Sequence, residues 1–205
     1  MSKLISDLVK KGALRTSRTV DAFSEINRIE FVPEEFVMQA DIDIALPIGY
    51  GQTISQPYTV ASMFELLDPR EGHKILDVGS GSGWTTALFA YIVGESGKVI
   101  GIERKEALKK MSEYNVDKFK YIREGRAQIF LGDGSLGFPS EAPFDRILVS
   151  ATAKNIPEEL KKQLKIGGKM VIPVGNNLVY LEKKSADEFA REVYPGFSFV
   201  PLITS

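Results

Sequence analysis

Hydrophobic positions along the chain change their period twice. Up to Met38 they recur at helical spacing, as Leu4, Ile5, Leu8 and Val9 and then Val20, Phe23 and Ile26, with a break at Gly12 and a stop at FVPEEF over 31–36. This predicts a small helical cap. Residues 41–57 carry no apolar period and read as a loop region, after which Val60, Met63, Phe64 and Leu67 share one face of a helix predicted over 58–67. From Lys74 the pattern turns to short apolar runs alternating with helices, the signature of parallel strands buried on both faces. The runs are KILDVG (74–79), KVIGIE (98–103), AQIFLG (127–132), FDRILVS (144–150) and KMVIPVG (169–175). Helices are predicted over 84–93, 105–121 and 157–164, the last stopping at Gly167-Gly168. Beyond Gly175, LVYLEKK and FAREVY flank the polar turn SADE and predict an antiparallel strand pair. The expected fold is α/β: a doubly wound, mostly parallel sheet with an antiparallel C-terminal edge and an N-terminal helical cap. Residues 1–205 are expected to form one domain, with 1–57 as cap and loop and 58–205 as the α/β core.

Composition narrows the chemistry more than the fold. A chain of 205 residues can bury roughly 70% of its unfolded surface in one unit. Its net charge of -1 gives no general pull toward nucleic acid or anionic lipid, and the pairs Lys109-Lys110, Lys161-Lys162 and Lys183-Lys184 read as solvated faces. No run approaches the roughly 18 apolar residues of a membrane span. Cysteine is absent, which excludes disulfides, thiolate nucleophiles and cysteine-ligated zinc. The opening MSKLISDLVKKG scatters its charges and lacks a leader pattern, so a cytoplasmic location is expected. The single histidine, His73, sits where the turn EGHK enters an apolar run and reads as a strand-entry surface residue. Hydrolase triads and histidine metal sites have little to build on, and no metal is expected.

The segment DVGSGSGW over 77–84 leaves the first buried run and enters a helix. Gly79, Gly81 and Gly83 allow a ligand close to the backbone at the sheet's carboxyl edge, where open α/β folds bind cofactors. A dinucleotide fingerprint would need its third glycine at position 84, which is Trp84, and the loop has neither a GK[ST] ending nor a basic residue for phosphates. Trp84 itself reads as core. Glu103 ends the second run, placed to accept from both ribose hydroxyls, and Asp133, between Gly132 and Gly134 at the end of the third, can accept from an adenine amino group. Adenosine recognition without phosphate recognition points to S-adenosyl-L-methionine, leaving S-adenosyl-L-homocysteine as product.

One further stretch, GYGQTISQPYTVA over 49–61, concentrates uncharged polarity in Gln52, Thr53, Ser55 and Gln56 beyond what a turn requires. With FVPEEF, LPIGYGQTISQPYTVASM, ILDVGSGSGWTTALFA, VIGIE, LGDGSLGFPSEAPFDRILVSATA, IPEELKKQLKIGGKMVIPVG and the closing FVPL, the chain resembles the protein-L-isoaspartate (D-aspartate) O-methyltransferases over almost its whole length. The resemblance implies a class I, Rossmann-like S-adenosylmethionine-dependent methyltransferase that esterifies isoaspartyl and D-aspartyl residues of damaged proteins, with those proteins as partners. It implies that Ser55 is the active-site serine, orienting the acceptor carboxylate with Thr53 and Ile54 beside it, and that Gln52, Thr53 and Ile54 border the cofactor. Asp77, Gly79, Ser80 and Gly81 would hold its methionine part, Glu103 the ribose, and Gly132 with Asp133 the adenine. Departures from the family pattern at Asp41, Tyr50 and Lys154 fall on the expected rim of the substrate cleft. Two other readings stay open: a class I methyltransferase acting on RNA or a small molecule, and a non-catalytic adenosine-binding module. The net charge, the missing cysteine and the missing NPPY-type motif weigh against an RNA enzyme, and the intact GQTISQP against a non-catalytic module.

Overall fold

The computed structural model describes residues 2–204. Helix α1 (Lys3–Lys10) starts where the Ser2 hydroxyl accepts from the Ile5 amide at 3.3 Å, and it buries Leu4, Ile5 and Leu8 while Val9 faces solvent. Helix α2 (Ser17–Glu25) follows, then two 3-10 turns, Arg28–Phe31 and Glu34–Gln39. The stretch expected to be loop contains a hairpin of β1 (Leu46–Gly49) and β2 (Gln52–Ile54). Its two-residue turn, Tyr50-Gly51, has φ of 55° and 72°, the double left-handed conformation that joins tight antiparallel strands. Helix α3 (Pro57–Leu67) opens on a proline and is capped from outside its own sequence, the Asp43 carboxylate accepting from the Tyr58 amide at 2.8 Å.

The remaining strands form one seven-stranded sheet. In chain order they are β3 (Lys74–Val78), β4 (Lys98–Glu103), β5 (Ala127–Leu131), β6 (Phe144–Val149), β7 (Leu164–Val174), β8 (Asn177–Lys183) and β9 (Phe189–Pro195), arranged in space as β5-β4-β3-β6-β7-β8-β9. All pairs from β5 to β7 are parallel, and β8 runs antiparallel to both its neighbours. The five predicted parallel strands and the antiparallel edge are therefore present.

Alternation sorts the side chains onto two faces. Ile75, Val99, Ile129, Leu148 and Val171 pack with α1, α2, α3, α4 (Trp84–Val93) and α5 (Glu106–Asp117). Leu76, Val78, Ile100, Ile147 and Met170 turn to the other face, covered by the short α6 (Glu158–Lys162) and by 3-10 turns at Gly134–Leu136 and Pro139–Glu141. Helix α6 stops before the predicted end because β7 already begins at Leu164 and runs through the glycine pair expected to terminate the helix. Lys183 of β8 closes that end, its ammonium donating to the carbonyls of Lys161, Lys162 and Leu164 at 3.2, 3.3 and 2.9 Å.

Helix α3 is anchored at Phe64, fully buried, with its ring stacked on Phe89 at 4.2 Å and edge-on to Phe23 at 6.0 Å. One side chain thus joins cap, α3 and core. Phe64→Ala is expected to lower unfolding free energy by about 3–5 kcal/mol in a urea titration; a loss below about 1 kcal/mol would show that the junction carries little.

Candidate active site

The chain turns back across the sheet at β3, with β4 on one side and β6 on the other, and this reversal opens a crevice at the strand tips. Just past β3 the amides of Gly79 and Ser80 both donate to the Ile102 carbonyl, at 2.8 and 3.1 Å, while Ser150 donates to the Val78 carbonyl at 2.9 Å. Gly79, Gly81 and Gly83 carry φ of 83°, 55° and 92°. At Gly83 a β-carbon would also fall 2.8 Å from Val116 and 2.9 Å from Ser112, so this glycine lets α4 pack on α5.

Glu103, at the tip of β4, is 6% exposed and accepts from the Gly81 amide at 3.0 Å and the Lys105 amide at 2.9 Å. Its carboxylate stitches the glycine loop to the next strand. Above these tips lies a cavity. Gly79, Ser80, Gly81, Glu103 and Gly132 line it from the sheet, and Gln52, Thr53, Ile54 and Ser55 from the hairpin side. The hairpin rests on the loop, since a β-carbon at Gly81 would meet Ile48 at 3.3 Å.

Two of the expected residues stand behind the wall. Asp77 is fully buried, with its Oδ2 accepting from Thr85 at 2.7 Å and Thr86 at 2.6 Å and its Oδ1 without a partner. Burial pushes its pKa up to about 6, against the pull of the Thr86 and Thr85 hydroxyls and with the help of the nearby Glu103 charge. Asp133 turns its Oδ1 toward Ser135, accepting from the amide at 2.9 Å and the hydroxyl at 2.7 Å to cap the following 3-10 turn. The cavity is met there by the flanking Gly132 and Gly134, and a β-carbon at Gly134 would lie 2.4 Å from Val78.

Trp84 is core, as its size suggested. It is 3% exposed, edge-on to Phe23 at 5.4 Å and donating to the Ile26 carbonyl at 3.3 Å, with one edge reaching the cavity. Asp41, Tyr50 and Lys154 do not line the cavity: Tyr50 is exposed at the hairpin tip, and Asp41 and Lys154 face solvent. His73 precedes β3 at the opposite end of that strand from the cavity. It is half-buried, and burial first, then the Arg146 charge, lowers its pKa.

Two features escaped the sequence reading. Residues 200–203 form a further wall of the cavity, tied down because Thr152 donates to the Val200 carbonyl and accepts from the Leu202 amide, both at 2.8 Å. Arg28 is buried beneath the hairpin with the Ser55 carbonyl among its acceptors. An arginine amid the apolar positions of a helical cap was the available signal.

The cavity fits an adenosyl sulfonium ligand on two counts. Ser80 Oγ and Asp77 Oδ1 are buried without partners at the cavity's glycine-loop wall, where a ligand's polar groups could meet them. Neither Asp77 nor Glu103 has a cation at ion-pair distance among the described residues, although Arg104 also lines the cavity.

The sequence profile of the family described as protein-L-isoaspartate(D-aspartate) O-methyltransferase matches residues 1–205. The chain belongs to this family. A protein-L-isoaspartate O-methyltransferase of Methanopyrus kandleri is 47% identical, covering 98% of this chain and 90% of the relative, and that of Methanothermobacter thermautotrophicus is 40% identical over 98% and 94%. Among solved structures, a protein-L-isoaspartate O-methyltransferase from Plasmodium falciparum in complex with S-adenosyl-L-homocysteine superposes with a TM-score of 0.88 at 26% identity, covering 98% of this chain and 96% of that one. The family assignment agrees with the class I fold and the S-adenosylmethionine dependence read from the glycine loop. Among the described residues no cluster of acids and histidine could hold a metal ion.

The raised pKa of Asp77 has a measurable consequence. The native state holds this proton more tightly than the unfolded chain, so the associated stability is fully present below about pH 4 and is lost as pH rises through about 6. Asp77→Asn does not titrate. The gap in unfolding free energy between the variant and the wild type is expected to move in the variant's favour by about 2 kcal/mol between pH 4 and 7. A gap that stays flat across that range would show that Asp77 is ionised throughout.

Proposed function

We propose that the protein transfers the methyl group of S-adenosyl-L-methionine to the free carboxylate of L-isoaspartyl and D-aspartyl residues in damaged proteins, which starts their repair. The observation that carries this is Ser55: half-buried on the hairpin wall of the cavity, across from the glycine loop, its hydroxyl bound to no protein group among the described residues.

When bound, S-adenosylmethionine supplies an electrophilic methyl on a cationic sulfur. Gly79, Ser80 and Gly81 would hold its methionine part with the Asp77 carboxyl behind them. Glu103 keeps lone pairs beyond its two amide bonds for the ribose hydroxyls, since a carboxylate accepts at about four positions. Gly132, backed by Asp133, would take the adenine end, and Gln52, Thr53 and Ile54 would border the bound donor.

The acceptor needs no base. A free α-carboxyl has a pKa of about 3.3–3.7 and is ionised at neutral pH. This agrees with a site whose nearest wall residues are hydroxyls, amides and glycines, while the one histidine lies at the far end of β3. Ser55 would donate a hydrogen bond to one carboxylate oxygen and so aim the other at the methyl. A nucleophilic role is not supported, because among the described residues no basic group reaches its oxygen. The protein's contribution is then alignment, which can lower a barrier by roughly 7–11 kcal/mol in the best cases. The next backbone nitrogen attacks the ester carbonyl, the methoxy group departs with that nitrogen's proton as methanol, and water opens the resulting succinimide to aspartate or isoaspartate; neither step requires the enzyme.

A polypeptide acceptor is supported by a second groove, lined by Gln56, which follows Ser55 in the chain, and by Arg15, Tyr58, Glu65, Tyr194 and Phe197. Such a mixed aromatic and charged groove suits an extended chain better than a small metabolite. With labelled donor, an isoaspartyl peptide is expected to gain base-labile methyl and its normal aspartyl twin none. Ser55→Ala should lower kcat about 10–100-fold, the worth of a hydrogen bond to a charged group, with the calorimetric affinity for S-adenosylhomocysteine within about threefold of wild type. Equal label on both peptides, or on neither, would overturn this function.

A further inference from the structure

Arg28 is 3% exposed, yet it meets no side-chain acid at ion-pair distance among the described residues. Its guanidinium is spent on main-chain oxygens. Nη1 donates to the carbonyls of Ala40 at 2.9 Å and Ile42 at 3.2 Å, and Nη2 to those of Ile44 at 2.8 Å and Ser55 at 3.2 Å. Nε is buried without a partner, and the guanidinium lies 5.5 Å from the centre of the Trp84 ring. Asp43 and Asp41 act on it only from farther away, and burial lowers its pKa to about 10, which leaves it charged at neutral pH.

Burying a cation against carbonyl dipoles alone is an expensive way to fill space, because its desolvation exceeds that of an apolar side chain by several kcal/mol. What the arrangement achieves is geometric. A planar peptide moves as one unit, so holding the Ser55 carbonyl oxygen limits how the Ser55–Gln56 peptide can rotate and with it the direction in which the Ser55 side chain leaves the backbone. The same guanidinium holds residues 40–44, and Asp43 in that stretch caps α3 directly after Ser55. Among the described residues Arg28 makes no hydrogen bond to the Gly81–Glu103 side of the cavity, and the two sides meet through Trp84, 5.5 Å from its guanidinium, and through Ile48 of the hairpin.

We propose that Arg28 is a positioning residue for methyl transfer: by holding the Ser55 carbonyl it aims the Ser55 hydroxyl at the acceptor carboxylate. This rests on the role given to Ser55 above. Arg28→Lys keeps the stem and the charge but offers three donors from a single atom, which cannot reproduce a planar fork serving four carbonyls.

The test is a double-mutant cycle of wild type, Arg28→Lys, Ser55→Ala and the double variant, measuring kcat on an isoaspartyl peptide and S-adenosylhomocysteine affinity by calorimetry. Arg28→Lys is expected to lower kcat about 10–100-fold, in line with the cost of a small misalignment, with product affinity within about threefold of wild type. The double variant should be no slower than Ser55→Ala within about twofold, because a residue that acts through the serine has nothing to contribute once the hydroxyl is gone. Four results would overturn the proposal: kcat of Arg28→Lys within twofold of wild type, product affinity falling in step with kcat, multiplicative losses in the double variant, or failure of Arg28→Lys to reach the wild-type circular dichroism spectrum. Wild-type protein that leaves both peptides unlabelled would sink the methyl-transfer reading as well, and that result appears before any variant is made.

Discussion

Two carboxylates, Asp77 and Glu103, are buried at the tips of adjacent parallel strands with no ammonium or guanidinium paired to either among the described residues. Such burial costs several kcal/mol for a charged group. The fold meets part of that cost with hydroxyls and amides: Thr85 and Thr86 for one acid, Gly81 and Lys105 for the other. What remains is a pair of acids without an ion-pair partner, under a cavity whose lining also includes Arg104. The glycine loop takes its shape from the same bonds, because the Gly81 amide can reach Glu103 only while the loop keeps its left-handed turns. A cationic donor therefore completes the electrostatics of the sheet edge as well as filling a space.

The opposite wall is organised around the inverse case, a buried cation among carbonyls. Arg28 gathers residues 40–44 and Ser55, Asp43 passes that constraint to α3, and Phe64 passes it from α3 into the core. Ile48 then sets the hairpin down on Gly81. Donor wall and acceptor wall thus have separate supports that touch at Ile48 and at Trp84. A reaction that depends on alignment, with its acceptor already charged, gains from walls that can each be rigid without distorting the other.

The parallel core was legible because its strands are buried on both faces and write near-continuous apolar runs, and the antiparallel edge because SADE separates two strand-like segments. The hairpin is hard to read for a physical reason: β1 alternates over only four residues and β2 has three, and Tyr50, a non-glycine residue in the left-handed region, gives no turn signal by composition. Helix α6 was drawn too long since its end is enforced by Lys183 from another strand, and side-chain caps from afar leave no local trace. At the site, the glycine loop, Glu103 and the 52–55 segment were readable as types of residue in a spacing. The retreat of Asp133 into a turn, the closing wall at 200–203 and the carbonyl cluster around Arg28 depend on contacts between distant parts of the chain.

The wall at 200–203 hangs from Thr152 by its amide and its carbonyl, as Gly79 and Ser80 hang from Ile102. Features built from the main chain are blind to side-chain identity. A substitution at position 152, proline excepted, therefore leaves this wall's fastening intact and forfeits only the bond from the Thr152 hydroxyl to the Gly175 carbonyl at 3.0 Å.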